Sequence, residues 1–352
     1  MRKKTFRSLL ALPLLAACSF TGSAFAQGSV SIFGTLDMGV NRLKTTTAAG
    51  VTTSLTSMAG GGIQTPVMGF RGAEDLGSGL SATFNLATYL SRMDAGAAGR
   101  SDADPFWSAG ANVGLASVNW GSVQFGRVTT PTIVALFDTN AWLGSTTYGS
   151  AFVNHWAGAV QGDTGFSNAV RYDSPRVGGF QGQFVYSLGE ERASGPDKRF
   201  GVGYDWRLDY LSGPLRATLS GRSINQSTNS NGREHTLLIA GASYDFGVVR
   251  AFAQYVGVKD RYTVDTANVD RTGINVGVRV PLGTAVLIAS TARSKIDDVS
   301  AATPSRRNTT SIGSDFYLSK RTDLYVAYTH DRFTDPVGNK STRFGAGIRH
   351  VF

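Results

Sequence analysis

The sequence predicts an all-β transmembrane barrel of about sixteen antiparallel strands, and three observations lead there. Apolar and polar residues alternate with period two through the chain, as in Val30, Ile32, Leu36, Met38 and Val40 against Ser31, Thr35, Asp37 and Asn41. Such alternation gives a strand one apolar face. Short turns and long polar segments then alternate between the strands. Finally, hydrophobic residues make up only 41% and mean hydropathy is −0.08. That average excludes a bundle of apolar helices, yet it is what strands with one face to lipid and one to water produce. One Cys in 352 residues excludes a disulfide scaffold. Aromatic residues at 11% argue against disorder.

The first segment reads as a cleaved signal peptide, residues 1–26. Arg2, Lys3, Lys4 and Arg7 form a basic start, Ser8 to Ala17 a short apolar core, and Ala24-Phe25-Ala26 a small-residue cleavage site. Leu15-Ala16-Ala17-Cys18 offers the competing reading of a lipid-anchored N-terminus. A strand beginning near Ser29 favours cleavage after Ala26, which leaves 27–352 as a single Cys-free barrel domain of the bacterial envelope.

Alternation returns at Leu80–Leu86, Phe180–Leu188, Phe200–Leu208, Ile274–Val280, Leu324–Tyr328 and Phe344–Phe352. Turns rich in Gly, Pro, Asp and Ser fall at 74–79, 120–121, 174–179, 211–214, 245–247, 281–284 and 319–322. Long polar loops fall near 43–62, 93–108, 129–167, 190–198, 226–234, 260–271, 296–308 and 331–342. Seven short turns and eight long loops separate sixteen strands. An even strand number, with short periplasmic turns and long external loops, is the pattern of an outer-membrane barrel. A soluble β-sandwich would carry more Lys and Glu on its polar face than this chain does.

Four stretches and the C-terminus resemble the general porins of β-proteobacteria. Ser29–Asp37 resembles their first strand, and Gly69-Phe-Arg-Gly-Ala-Glu-Asp-Leu-Gly77 their second strand and first periplasmic turn. Val113-Gly-Leu with Gly121–Arg127 and Pro131 is similar to the hairpin entering their constriction loop. Asn168–Pro175 is similar to the strand leaving it, and Gly347–Phe352 to their terminal strand. The resemblance implies a sixteen-stranded homotrimer whose third loop, 129–167, folds into the lumen, with Phe352 as the signal read by the barrel-assembly machinery. Relatives often carry basic residues where this chain has Thr65–Met68 and Ser108–Gly110, which implies fewer cations at its constriction.

In such a barrel alternate residues face lumen and lipid, so phase assigns the charges. Lumen phase goes to Arg71, Arg171, Arg199, Arg207, Arg216, Arg222, Arg250, Arg279, Arg293, Arg343 and Arg349, against Asp37, Asp205, Asp209, Asp315 and Asp323. Arginine keeps its charge at any physiological pH, and rings of it favour anions. Some of these arginines would instead pair with carboxylates or cap strand ends. Arg42, Arg92, Arg127 and Lys259 take the lipid phase just before long loops. They are expected at the external rim, facing lipopolysaccharide phosphates or snorkelling into the interface. The long loop carries Trp142, Tyr148, His155 and Trp156, with Asp138 and Asp163 as its acids. Phe344 and Phe352 also fit an aromatic girdle.

No nucleophile elbow, dinucleotide motif or metal-ligand spacing of the four His is present. The basic charge is dispersed, without the stripe that nucleic-acid binding needs. The expected function is therefore passive diffusion of small hydrophilic solutes, anions preferred, with no enzyme activity, cofactor or metal. A channel specific for one anionic nutrient is the nearest alternative. A barrel-borne adhesin or outer-membrane enzyme is the alternative of another class.

Overall fold

Alternation becomes a closed sheet because every strand but β2 pairs on both sides. The computed structural model describes residues 28–157, 159–160, 163–189, 200–226, 233–262, 268–301, 303–334 and 338–352. The export segment 1–26 with Cys18, the loop at 190–198 and Arg199 lie outside the described residues. In chain order the strands are β1 (Ser29–Thr46), β2 (Thr52–Gly60), β3 (Val67–Gly77), β4 (Leu80–Tyr89), β5 (Gly110–Ser117) and β6 (Gly121–Thr129). After the long loop come β7 (Gly165–Asp173), β8 (Phe180–Leu188), β9 (Val202–Ser212), β10 (Leu215–Asn225), β11 (Arg233–Asp245) and β12 (Arg250–Tyr262). β13 (Val269–Leu282), β14 (Ala285–Asp298), β15 (Ser305–Tyr317), β16 (Thr322–Thr334) and β17 (Lys340–Val351) complete the set.

Apart from β2 and β3, neighbours in sequence pair antiparallel, and β17 closes on β1 from Thr35↔Val351 to Thr46↔Lys340. Phe352 extends the seam by exchanging backbone hydrogen bonds with Gly34 at 3.0 and 3.1 Å. On its other side β1 pairs with two strands, β3 through Ser29–Thr35 and β2 through Met38–Thr46. β2 and β3 thus share one barrel position, so seventeen strands make a ring of sixteen. The segment expected as a loop at 43–62 is mostly this hairpin. Its Thr- and Ser-rich strands have little apolar contrast, which is why period two does not reveal them.

Side chains divide as the alternation requires. In β16, Asp323, Tyr325, Ala327, Thr329 and Asp331 are buried inside, while Leu324, Val326 and Tyr328 are exposed outside. Large apolar residues cover the outer face of the ring in this way, which for a water-soluble monomer would be an exposed patch far beyond the usual limit. Phe352 lies on that face at the short-turn end, stacked 6.4 Å from His350. Phe344 is likewise exposed, towards the long-loop end.

Phase fails at one assigned lumen residue. Arg293 pairs in register with Ile274 and Asn308, is exposed, and points outward. β14 carries Leu287 and Ile288 side by side with small alanines on both faces, so its pattern is ambiguous. Ile288 is the inner residue because the inserted loop packs on it. Two residues expected at the lipid rim are also elsewhere. Arg92 lies past the end of β4 and pairs with Asp102 at 2.5 Å. At Arg127 the pairing of β6 with β7 slips, Val128 matching Phe166 where Gly126 matches Ala169. Its guanidinium turns to Asp163 and the Ser108 carbonyl. Arg42 and Lys259 do project outward.

Ile312, 58% exposed at the middle of β15, gives a test of the outer face. Ile312→Arg should cost about 2–4 kcal/mol in urea unfolding from lipid vesicles, the penalty of a cation at the bilayer midplane. A neutral result would place this face away from lipid.

Candidate functional site: a lumen narrowed by an inserted loop

The loop between β6 and β7 runs inside the barrel because its apolar residues find a second apolar surface there. Pro131 starts α1 (Pro131–Asp138), where its fixed φ and missing N–H do no harm. Ile133, Ala135 and Leu136 pack on Leu237, Ile239, Val256 and Val258 of β11 and β12. Thr139 and Asn140 end the helix by donating to the Ala135 and Leu136 carbonyls, each at 2.8 Å. Trp142 and Tyr148, 1% and 0% exposed, pack with Phe252, Ile288, Tyr325 and Ala327. Further on, Ser150 bonds Ser290 at 2.6 Å and Asn154 donates to Thr309 at 2.9 Å. A short π-type turn, Phe152–Trp156, leads back towards β7.

Trp142, Tyr148, His155 and Trp156 are all buried. They fasten the loop to the wall. Burial holds the His155 imidazole down to about 4, so it adds no charge at neutral pH.

A second insertion braces the first. Between β2 and β3, residues 61–66 turn inward opposite two residues of β1. Asp37 accepts hydrogen bonds there from the Ile63 and Gln64 amides, at 2.7 and 2.8 Å, and from the Tyr325 hydroxyl at 2.7 Å. The Gly62 carbonyl accepts from Ser145 at 2.6 Å, and the Thr65 amide donates to the Gly144 carbonyl at 3.1 Å. Gly62 has no room for a Cβ beside the Tyr325 ring. Asp37 is therefore inward but fully buried, a clamp rather than a group in contact with solutes.

Most inner-face arginines are spoken for. Arg222 and Asp205, both fully buried, meet at 2.8 Å. Asp205 also accepts from the Thr132 amide and hydroxyl, while Arg222 donates to Thr130 at 2.6 Å. This shared bonding offsets the cost of burying both charges and ties down the start of α1. Arg207 sits between Asp209 and Asp138, at 2.8 and 2.6 Å, and Arg216 is 2.8 Å from Asp138. Arg171 holds Asp173 at 2.7 Å. Arg349 holds Asp323 at 2.7 Å, with Asp315 at 3.6 Å from it and 3.8 Å from Arg279, which also donates to the Ala141 carbonyl.

The expected lining of eleven cations against five acids is thus too lopsided. Pairs that sequence reasoning misses are Arg307–Asp331 and Arg233–Asp260, both at 2.9 Å, together with the acid Asp173. Asp260 and Asp331 fall in segments that read as loops, but β12 and β16 extend past them. Arg71, Arg250 and Arg343 form no ion pair among the described residues. The Arg71 guanidinium lies 5.1 Å from the Phe33 ring centre, and Arg250 donates to Ser243 at 2.9 Å.

Open space remains between α1 and the wall of β1 and β3–β7. It comprises two adjoining cavities of about 480 Å³ each, which share Asn85 and Thr129. One is bordered by Ser31, Arg71, Asn112, Gln124 and Arg171. The other is bordered by Phe33, Tyr89, Val134, Phe137 and Phe152, with Arg100 and Asp163 also at its edge.

Asp163 joins the loop's end to the 90–109 connection by pairing with Arg100, at 2.5 Å, and with Arg127. Burial raises the Asp163 carboxyl, but the hydrogen bonds and charges of Arg100 and Arg127 outweigh this and hold it at about 2. A carboxylate depressed in this way adds stability that is complete above the unfolded value near 3.9 and fades as pH falls towards 2. The destabilisation caused by Asp163→Asn should therefore stay the same from neutral pH to about 4. Asp163→Asn should cost about 1.5–3 kcal/mol in thermal unfolding, the worth of a charge-assisted bond. An unaltered melting temperature would disprove the clamp.

Comparison with known proteins bears on this arrangement. The sequence profile of a family described as Gram-negative porin matches residues 11–336. Outer membrane porin protein 32 of Delftia acidovorans is 28% identical over 366 residues, spanning 98% of this chain and 99% of the relative. An outer membrane porin protein of Bordetella pertussis is also 28% identical, over 395 residues, 98% of this chain and 100% of that protein. The solved anion-selective porin from Comamonas acidovorans superposes with a TM-score of 0.79 at 26% identity, covering 92% of this chain and 100% of that one.

Proposed function

The chain belongs to the Gram-negative porin family, and on that premise we propose that its outer-membrane channel passes small hydrophilic solutes passively with a preference for anions. One observation carries the preference. Between the strand ends Asp173, Asp205, Asp209, Asp315 and Asp323 are ion-paired and Asp37 is buried under hydrogen bonds, while Asp75, Asp245 and Asp298 lie at strand ends and accept from turn amides. Along the passage between those ends, Arg71 and Arg343 form no ion pair among the described residues. The uncompensated charge is positive, and low-dielectric walls concentrate its field on the water between them. The anion-selective Comamonas porin, so similar in backbone, supports the same sign. Diffusion through such a path needs no catalytic group or cofactor.

The reading includes export with removal of 1–26, recognition of Phe352 by the barrel-assembly machinery, and a homotrimer, as the resemblance implies. It also includes lipopolysaccharide at the external rim, on a wider set of residues than Arg42 and Lys259. Arg293, Lys295, Arg306, Arg332 and Lys340 all face outward near the long loops. Lys295 stands directly opposite Arg306, and Arg332 opposite Lys340. Like charges facing each other across strands are destabilising, and within hydrocarbon each would cost more. Phosphates of the outer leaflet relieve both penalties. Arg293, Lys295 and Arg306 also border an outer-face notch of about 410 Å³.

Two measurements test these statements. In a planar bilayer under a potassium chloride gradient the reversal potential should report anion preference, and Arg71→Glu should move it towards the cation side. Cation preference in the unaltered protein would overturn the assignment. Replacing Arg293, Lys295 and Arg306 together by Ala should strip co-purifying lipopolysaccharide, and unchanged retention would remove lipid from this part of the rim.

A further inference from the structure

The two cavities of the passage differ in chemistry, and their order matters. On the wall side, the border of the first is polar: Ser31, Asn85, Asn112 and Gln124, with Arg71 and Arg171. Arg171 is neutralised by two bonds to Asp173, at 2.7 and 2.8 Å. Arg71 is exposed and forms no ion pair among the described residues. On the loop side, the border of the second is apolar. Val134 and Phe137 of α1 and Phe152 of the following turn are only half-buried, on the outside of the cluster that pins the loop to the wall. Phe137 and Phe152 stack at 5.9 Å with their planes 27° apart, so they present one broad aromatic surface. Arg100 and Asp163, the charged groups at this cavity, cancel each other.

Phe33 connects the two halves. It borders the aromatic cavity, and the Arg71 guanidinium lies over its ring. A solute passing here meets an apolar surface and the Arg71 cation in adjoining spaces. Ile133, Leu136, Trp142, Tyr148 and Trp156 are consumed by packing, whereas Val134, Phe137 and Phe152 leave part of their surface to the cavity, which is unfavourable unless something apolar covers it.

We propose that the constriction preferentially takes organic monoanions with an apolar body, such as aromatic carboxylates, holding the carboxylate at Arg71 and the ring against Val134, Phe137 and Phe152. This rests on the anion preference above and adds a solute class to it. A carboxylate can take two parallel hydrogen bonds from a guanidinium, and the aromatic contact adds a gain that hydrophilic anions of equal charge lack. Because both surfaces border open water, retention is brief and the solute moves on.

The test compares sodium benzoate with sodium gluconate, a hydrophilic monoanion, in bilayer reversal-potential measurements, beside a potassium chloride gradient as reference. The unaltered channel should favour benzoate over gluconate. The double variant Phe137→Ser, Phe152→Ser should lower that ratio about fivefold, the scale of an aromatic contact, with the chloride-to-potassium ratio unchanged. Val134→Thr, equal in shape, should lower it in the same direction should the double variant fail to assemble. Arg71→Gln should weaken preference for benzoate and chloride together. A benzoate-to-gluconate ratio unchanged in the double variant and in Val134→Thr overturns the aromatic subsite while leaving anion preference intact. Cation preference in the chloride gradient overturns the reading beneath it.

Discussion

Inside hydrocarbon no water is present to satisfy a backbone N–H or C=O, so every strand must be paired on both edges. The seam between β1 and β17, continued to Phe352, meets that requirement and turns a sheet into a ring. The rest follows from closure. A ring of strands has an inside and an outside, period two sorts side chains between them, and the inside is polar enough to keep water. The ring is locally incomplete between β2 and β3, where β2 pairs with β1 alone. Residues 61–66 fold inward, and Asp37 supplies the bonds that the sheet does not.

The interior uses charge in two ways. Pairs such as Arg222–Asp205 and Arg207–Asp138 are fasteners: they join strand to loop and leave almost no net field. A minority of arginines, Arg71 among them, carry the field a solute would experience. Apolar residues are divided likewise. Trp142 and Tyr148 hold the loop against the wall, while Phe137 and Phe152 retain surface towards the passage. A residue's type thus says less about its role than the partner it finds.

How much is legible depends on contrast. Strands β16 and β17 stand out because Leu324, Val326, Phe344 and Ile348 alternate with small or polar residues. β2 has no such contrast and reads as a loop. Arg293 falls on the wrong face because Ile288, earlier in the same strand, is apolar yet points inward, towards the inserted loop. Asp260 and Asp331 escape notice as partners because polar strand ends look like loops once they leave the hydrocarbon.

By itself the sequence determined the barrel, its sixteen positions and which end carries the long loops. These depend on local periodicity and turn chemistry, which neighbouring residues carry between them. Only the tertiary structure decided which arginines remain free, where the loop's aromatics turn, and that 61–66 braces it. Those outcomes depend on residues far apart in the chain, such as Asp37 and Tyr325 or Arg207 and Asp138. They meet only after the ring has closed, and no local pattern encodes the meeting.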